Sequence, residues 1–215
     1  MVIGGGIAGM QSALDLANSG YYVYLVEEGS AIGGMMAQLD KTFPTNDCAM
    51  WIISPKLVEV GRHLNIELIT NAELISIDGE AGDFKVRLLK HPRYVDIEKC
   101  TGCGECEQAC PVQIEDQYNQ GLSQRKAIYK LYPQAIPGAY CIQKADKAPC
   151  RLACPASINV QGYTQMVKVG DYKRALEIIM DKLPLPGVLG RICPHPCEDA
   201  CRRAEIDQAI SIREL

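Results

Sequence analysis

The chain opens on two apolar residues and a glycine run, V-I-G-G-G-I-A-G, and the next apolar positions fall at helical spacing. Ile7, Met10, Ala13, Leu14 and Ala17 share one face of a 3.6-residue period, Gly20 ends the pattern, and Tyr21 to Val26 reads as a second strand closed by Glu27 and Glu28. A buried strand, a helix and a second strand are predicted. Between Phe43 and Asn65 the period is again helical, in N-D-C-A-M-W-I-I-S-P-K-L-V-E-V-G-R-H, where Pro55 lacks a donor and is expected to kink the helix or start a new one. Three strand-like pieces follow, I-E-L-I-T, A-E-L-I-S-I-D and F-K-V-R-L-L-K, the last two as a hairpin across G-E-A-G-D. Near the other end, Tyr163, Met166 and Val167, then Tyr172, Ala175, Leu176 and Ile179, mark the apolar faces of two short helices.

Composition narrows the class. With 215 residues, 47% of them hydrophobic, the chain can build one large core or two modest ones. A net charge of −4 without a dense Lys/Arg stripe argues against a nucleic-acid surface. No apolar run approaches the roughly eighteen residues of a membrane span, and no basic-then-apolar leader precedes the first strand, so a cytoplasmic protein is expected.

The glycines carry the first chemistry. Gly4, Gly6 and Gly9 form G-x-G-x-x-G at a strand-to-helix turn. Gly4 permits the turn, Gly6 lets backbone approach a pyrophosphate, and Gly9 lets the helix pack close to the strands, while the helix N-terminus offers free N–H groups to phosphate. Glu27 stands eighteen residues beyond Gly9, placed to accept hydrogen bonds from ribose hydroxyls. A second pair, Gly33 and Gly34, lies just past the acidic strand end; this arrangement resembles flavoproteins in which a second loop approaches FAD, and FAD is chosen over NAD.

Eleven cysteines carry the second. An odd count does not pair off into a disulfide framework, and spacings of two and three are those of metal or cluster ligands. Cys100, Cys103, Cys106 and Cys110, followed by Pro111, form C-x2-C-x2-C-x3-C-P, the bacterial ferredoxin run. Gly102 and Gly104 allow the tight turns beside the sulfides; in two-cluster ferredoxins the fourth cysteine serves the other cluster, so Cys110 need not share a cube with the first three. Zinc sites more often use two separated pairs.

These stretches together resemble the flavin-binding A subunit of heterodisulfide reductases, over about residues 1 to 140. The likeness is carried by G-G-G-I-A-G-M-Q-S-A-L-D-L-A-N-S-G, I-G-G-M-M-A-Q-L-D-K-T-F-P-T-N-D-C, S-P-K-L-V-E-V-G-R-H, P-R-Y-V-D-I-E-K-C-T-G-C-G-E-C-E-Q-A-C-P-V and P-Q-A-I-P. In that family a ferredoxin segment is inserted into a thioredoxin-reductase-like FAD domain. The resemblance assigns Gly4, Gly6, Gly9, Glu27, Gly33 and Gly34 to FAD and Cys100, Cys103, Cys106 and Cys110 to a cluster. The family often has a cysteine three residues after Cys48; here Trp51 stands there, so Cys48 is expected to be a buried structural thiol.

From about residue 141 the likeness changes. Cys150, Cys154 and Pro155 in C-x3-C-P, with G-R-x-C-P-x-P-C-E-x-x-C from Gly190 to Cys201, are similar to the N-terminal iron-sulfur domain of the NADPH-dependent glutamate synthase small subunit. That family usually has a further C-x2-C pair, absent here, which implies one 4Fe-4S cube drawn from Cys150, Cys154, Cys193, Cys197 and Cys201. Cys141 is open between ligand and spectator. His63, His91 and His195 lie apart with no catalytic context, so no catalytic residue is assigned; a hydrogen bond from His195 to cluster sulfur is the most its position allows. Lys173, Arg174, Arg202 and Arg203 are either ordinary surface charge or contacts for an acidic ferredoxin.

The expectation is therefore an α/β protein in three parts. Residues 1 to 92 form a partial Rossmann-like FAD-binding unit, 93 to 140 a ferredoxin-like 4Fe-4S segment, and 141 to 215 a small α-helical iron-sulfur domain. It would relay electrons between FAD and two 4Fe-4S clusters, with other redox subunits of a larger complex, or ferredoxin, as partners. A glutamate-synthase-type NADPH oxidoreductase and a non-catalytic wiring module are the alternatives. No second G-x-G-x-x-G for NAD(P)H is present, and the chain is expected to be a piece of a longer polypeptide.

Overall fold

The computed structural model describes residues 1–144 and 147–215, which form two compact units, Met1–Gln143 and Lys144–Leu215. In the first, β1 (Val2–Ile3), β2 (Val23–Val26) and β3 (Ile66–Ile69) make a parallel sheet in the order β1-β2-β3, with Val2 opposite Leu25 and Val23 opposite Ile66. Helix α1 (Ile7–Asn18) is the crossover from β1 to β2, and α2 (Ala49–Arg62) leads into β3. Met10, Ala13, Leu14 and Ala17 of α1 are buried against Val23 and Leu25 of the sheet and Ile53, Leu57 and Val60 of α2. The spacing of these residues in sequence is thus the spacing of the core face.

Three local expectations change. β1 is half exposed at Ile3, because it is an edge of this three-stranded sheet. Helix α2 runs through Pro55 without restarting. Pro55 and Trp51, whose carbonyl loses the i+4 donor, both lie on the solvent side of the helix, where water can replace the missing bond. Cys48 is exposed, since it is the residue that precedes the first turn of α2 and its backbone pairs across to Lys41.

The hairpin forms as β4 (Ala72–Glu80) and β5 (Asp83–Lys90), with a register shift between Leu74 and Ser76. The cysteine-rich stretch follows, with a one-turn helix α3 (Glu105–Gln108) and two small antiparallel pairs. These are β6 (Gln113–Glu115) with β7 (Gln124–Lys126), and β8 (Ile128–Tyr129) with β9 (Cys141–Ile142). Between β8 and β9 the chain lies back on the glycine region: Ile32 N–H donates to Ile136 O (2.9 Å), and the buried Tyr132 hydroxyl donates to Ile32 O.

The second unit is helical. It contains α4 (Pro149–Ala153), α5 (Val160–Val169), α6 (Tyr172–Met180), α7 (Pro186–Ile192) and α8 (Pro196–Asp199). Asn159 and Asp171 cap α5 and α6 by accepting from the N–H groups of Gly162 (3.1 Å) and Arg174 (3.0 Å), and Gly170 ends α5 in the left-handed region. The core joins Val160, Tyr163, Ala175, Cys197 and Ile212. On α6 the inward stripe is Ala175, Ile178 and Ile179, while Tyr172 and Leu176 face outward, which corrects the phase expected from sequence. Among the described residues no helix is long and apolar enough to cross a membrane.

Candidate functional site

At the first glycine turn each position has a distinct physical task. Gly4 has φ +96°, a left-handed conformation, and its N–H donates to Val26 O (2.7 Å). A Cβ on Gly9 would lie 1.8 Å from Gly4 O, so no side chain fits there. A Cβ on Gly6 would meet nothing within 4 Å: this residue borders open space at the first turn of α1, where the free N–H groups point.

The acidic strand end closes onto the same loop. Glu27 accepts from Gly5 N–H (2.6 Å) through one carboxylate oxygen and from Gly29 N–H (2.8 Å) through the other. A carboxylate offers about four acceptor positions, so two remain open. The second glycine pair also reaches the first: Gly33 N–H donates to Gly5 O (2.8 Å), and a Cβ on Gly34 would stand 3.0 Å from Gly6 Cα. These contacts bring the turns that carry Gly4, Gly6 and Gly9, Glu27, and Gly33 and Gly34 next to one another.

Sequence reasoning missed the support beneath it. Tyr132, 3% exposed, holds the Ile32 carbonyl, and a Cβ on Gly33 would fall 2.5 Å from its hydroxyl. Its ring stacks on Tyr118, whose hydroxyl donates to Ala37 O. Burial first, then the neighbouring Tyr118 and Glu27, push the Tyr132 phenol well above its ordinary value of 10.0. The folded pKa is raised, so this contribution to stability is intact below about pH 10 and is lost as pH rises from there towards the folded value. Tyr132→Phe is expected to unfold at lower denaturant than wild type at pH 7, by about 1 kcal/mol for the lost bond. The gap should narrow above about pH 10 in urea titrations run across that range.

The ferredoxin-like loop turns at Gly102 (φ +73°) and Gly104 (φ +89°), as its composition implies. Cys103 and Cys106 are exposed, Cys100 and Cys110 half-buried. Partial desolvation, with the nearby Cys100 and Cys103 thiols, raises the Cys106 thiol against the opposing N–H groups of Cys106 and Glu107. Cys110 Sγ instead faces Val112 O (3.7 Å). The segment between β8 and β9 lines this loop. Tyr140 N–H donates to Cys100 Sγ (3.5 Å) and its hydroxyl to Glu107 Oε2 (2.9 Å), while Gly102 and Gly104 leave room for Gly138 O and the Tyr140 hydroxyl. Burial, then the Glu107 bond, pushes the Tyr140 phenol up to about 12.

In the second unit α4 packs against α8; Cys150 lies on α4, Cys197 on α8, and Cys154, Cys193 and Cys201 stand at helix ends. Burial raises the thiols of Cys150 and Cys197; Cys201 and Cys154 add to the first, Cys154 and Cys193 to the second. Tyr163 lies among Cys197, Cys150 and Cys154, and its hydroxyl is tied to Ile212 O (3.0 Å). His195 adopts φ +48°, and it is its backbone N–H that reaches Cys193 Sγ (3.3 Å), while Nδ1 lies 3.4 Å from Glu198. Cys141 is buried in β9 beside the Asn71 side chain.

None of the eleven cysteines is paired in a disulfide. Among the described residues no three His, Cys, Asp or Glu side chains converge on one point, as a single-ion site requires. Thiolates of a cube each sit on a separate iron and surround a volume, and N–H groups aimed at sulfur are part of such sites. Backbone N–H groups point at the sulfurs of Cys100 and Cys193.

Comparison with known proteins gives three matched stretches. Residues 1–58 match the family described as FAD dependent oxidoreductase, 93–114 the 4Fe-4S binding domain, and 122–215 the dihydropyrimidine dehydrogenase domain II, 4Fe-4S cluster. The chain is 58% identical over 142 residues to the A subunit of the H2/formate:CoB-CoM heterodisulfide,ferredoxin reductase of Methanococcus maripaludis, covering 66% of this chain and 22% of that one. It is 54% identical over 142 residues to an iron-sulfur A subunit of the CoB-CoM heterodisulfide reductase of Methanopyrus kandleri, covering 66% and 22%. A third relative, the corresponding iron-sulfur A subunit of Methanocaldococcus jannaschii, is 49% identical over 173 residues, covering 79% and 26%. The chain spans about a fifth to a quarter of the length of these relatives. FAD and 4Fe-4S clusters are the cofactors to which the three family matches together point.

Proposed function

We propose, from the premise that this chain is homologous over about two thirds of its length to heterodisulfide reductase A subunits, that it is the part of an oxidoreductase that relays electrons between FAD and 4Fe-4S clusters. Flavin exchanges electrons in pairs or singly and a cube singly, which is the chemistry the two groups supply when bound. The chain's own residues do the holding. The α1 N-terminus and the open side of Gly6 receive the pyrophosphate, Glu27 receives a ribose, and Gly33 and Gly34 let a second loop approach without side chains. Cys100, Cys103 and Cys106 hold one cube with Cys110 or another donor as the fourth ligand; four of Cys150, Cys154, Cys193, Cys197 and Cys201 hold the second.

The observation that carries this reading is the placement of the cysteine loop and the glycine site in one compact unit, joined through residues 128–142. Within it we read 1–92 as the Rossmann-like FAD part and 93–140 as the ferredoxin-like insert, with 141–215 as the helical iron-sulfur domain. Other redox subunits are the partners in this proposal, ferredoxin is a candidate because the Methanococcus relative carries it in its name, and the cytoplasm is the proposed location. NADPH added to the anaerobic, cofactor-loaded chain is expected to leave its visible absorption unchanged, whereas dithionite bleaches it. Bleaching by NADPH would favour the glutamate-synthase-type oxidoreductase instead.

A further inference from the structure

Ser30, Thr70 and Arg93 are buried polar residues, and they belong to one network. Arg93 is 8% exposed. Its Nε donates to Tyr140 O (2.9 Å), Nη1 to Thr70 Oγ1 (3.2 Å), and Nη2 to both Ser30 O and Ala139 O (2.9 Å each). All four acceptors are neutral. Ser30 follows Glu27 by three residues, in the loop that leads to Gly33 and Gly34; Thr70 is the first residue after β3; Ala139 and Tyr140 line the cysteine loop. One guanidinium therefore ties the glycine site to the wall of the first cysteine set.

The Ala139–Tyr140 peptide is the informative contact. Its carbonyl accepts from Arg93 Nη2, and its N–H donates to Cys100 Sγ (3.5 Å). A cation bound at the oxygen of a peptide draws electron density from its nitrogen and makes the N–H a stronger donor. Hydrogen bonds to cluster sulfur and buried charge both set reduction potential. Reduction adds one electron, and one negative charge, to the cluster, so a strengthened donor and a buried cation favour the reduced form.

We infer that Arg93 is a positioning residue for the cluster held through Cys100, orienting and polarising the Ala139–Tyr140 peptide so that its N–H stabilises the reduced cluster. The inference rests on the iron-sulfur reading above. An arginine buried for structure alone would still act on the cluster through its charge, which Arg93→Lys keeps; the orienting of the Ala139–Tyr140 peptide is lost with the fork, and this separates the two roles.

The test is a dithionite titration of the cluster-loaded 215-residue chain, followed by EPR, in wild type, Arg93→Met, Arg93→Lys and Thr70→Val. In Arg93→Met the reduced-to-oxidised ratio of the Cys100 cluster at the wild-type midpoint should fall about tenfold, about 59 mV for one electron. Arg93→Lys, which keeps the charge and loses the fork, should fall between. Thr70→Val removes an acceptor outside the relay and should keep the wild-type midpoint, as should the second cluster in every variant. If Arg93→Met does not hold the cluster, Arg93→Lys decides, and pulsed EPR of wild type labelled with 15N-tyrosine gives a further readout. A nitrogen coupling should appear there and vanish in Tyr140→Phe made with the same label, where position 140 is unlabelled. Arg93 variants with full iron and an unshifted midpoint, or no nitrogen coupling in wild type, would overturn the inference. Absence of iron from wild type would instead defeat the iron-sulfur reading on which it rests.

Discussion

Gly9→Ala is expected to unfold the first unit at far lower urea than wild type, with a loss on the order of 3–5 kcal/mol. The added methyl carbon would sit 1.8 Å from Gly4 O, which belongs to the turn that pairs Gly4 N–H with Val26 O and sets the distance between α1 and the sheet. Backbone on both sides of the clash is fixed by the buried Met10, Ala13 and Leu25, so relief requires separating helix from strands. Such a loss is a large share of the roughly 5–15 kcal/mol that holds a typical domain. Gly6→Ala is the matched control. Its methyl meets nothing within 4 Å and its φ of −72° suits any residue, so the urea midpoint should move by less than about 0.5 kcal/mol. FAD affinity, measured by flavin fluorescence quenching, should nevertheless fall, because the methyl occupies the space assigned to pyrophosphate. Equal stability losses in the two variants would contradict this division of roles.

The second large effect is on iron. Cys103→Ala and Cys197→Ala should each lower iron by about four atoms per chain, since each removes a ligand from a different proposed cube. They should differ in the metal-free protein. Cys103 is exposed, so its loss leaves the metal-free chain's thermal transition nearly unchanged, whereas Cys197 is 8% exposed within the core of the helical unit and its truncation costs about 1–2 kcal/mol. Iron assay paired with calorimetry of the metal-free proteins checks both. Retention of full iron in either variant would remove that cysteine from its set.

The legible residues are those whose chemistry restricts residue type. Glycine at positions 4 and 9 is demanded by a left-handed turn and a 1.8 Å approach; cysteine spacing is demanded by cluster geometry; both leave a pattern in sequence. The supporting residues leave none. Arg93 and Tyr132 act on backbone carbonyls distant in the chain, such as Ser30 O and Ile32 O, and any residue supplies a carbonyl, so no motif marks the partner. Tyr140 is similar, since the group that meets Cys100 Sγ is its N–H. Cys48 and Pro55 depart from expectation for a related reason. Residue type suggests burial and a break, while position decides: Cys48 precedes the first turn of α2, and Pro55 lies on its outer side.

That two iron-sulfur cubes lie in the chain is tested most directly by iron and acid-labile sulfide per chain after anaerobic reconstitution and desalting, with zinc measured on the same sample. The account predicts about eight irons and about eight sulfides per chain, with little zinc. Zinc in place of iron, or eleven freely titrating thiols in a colourless reconstituted protein, would contradict it.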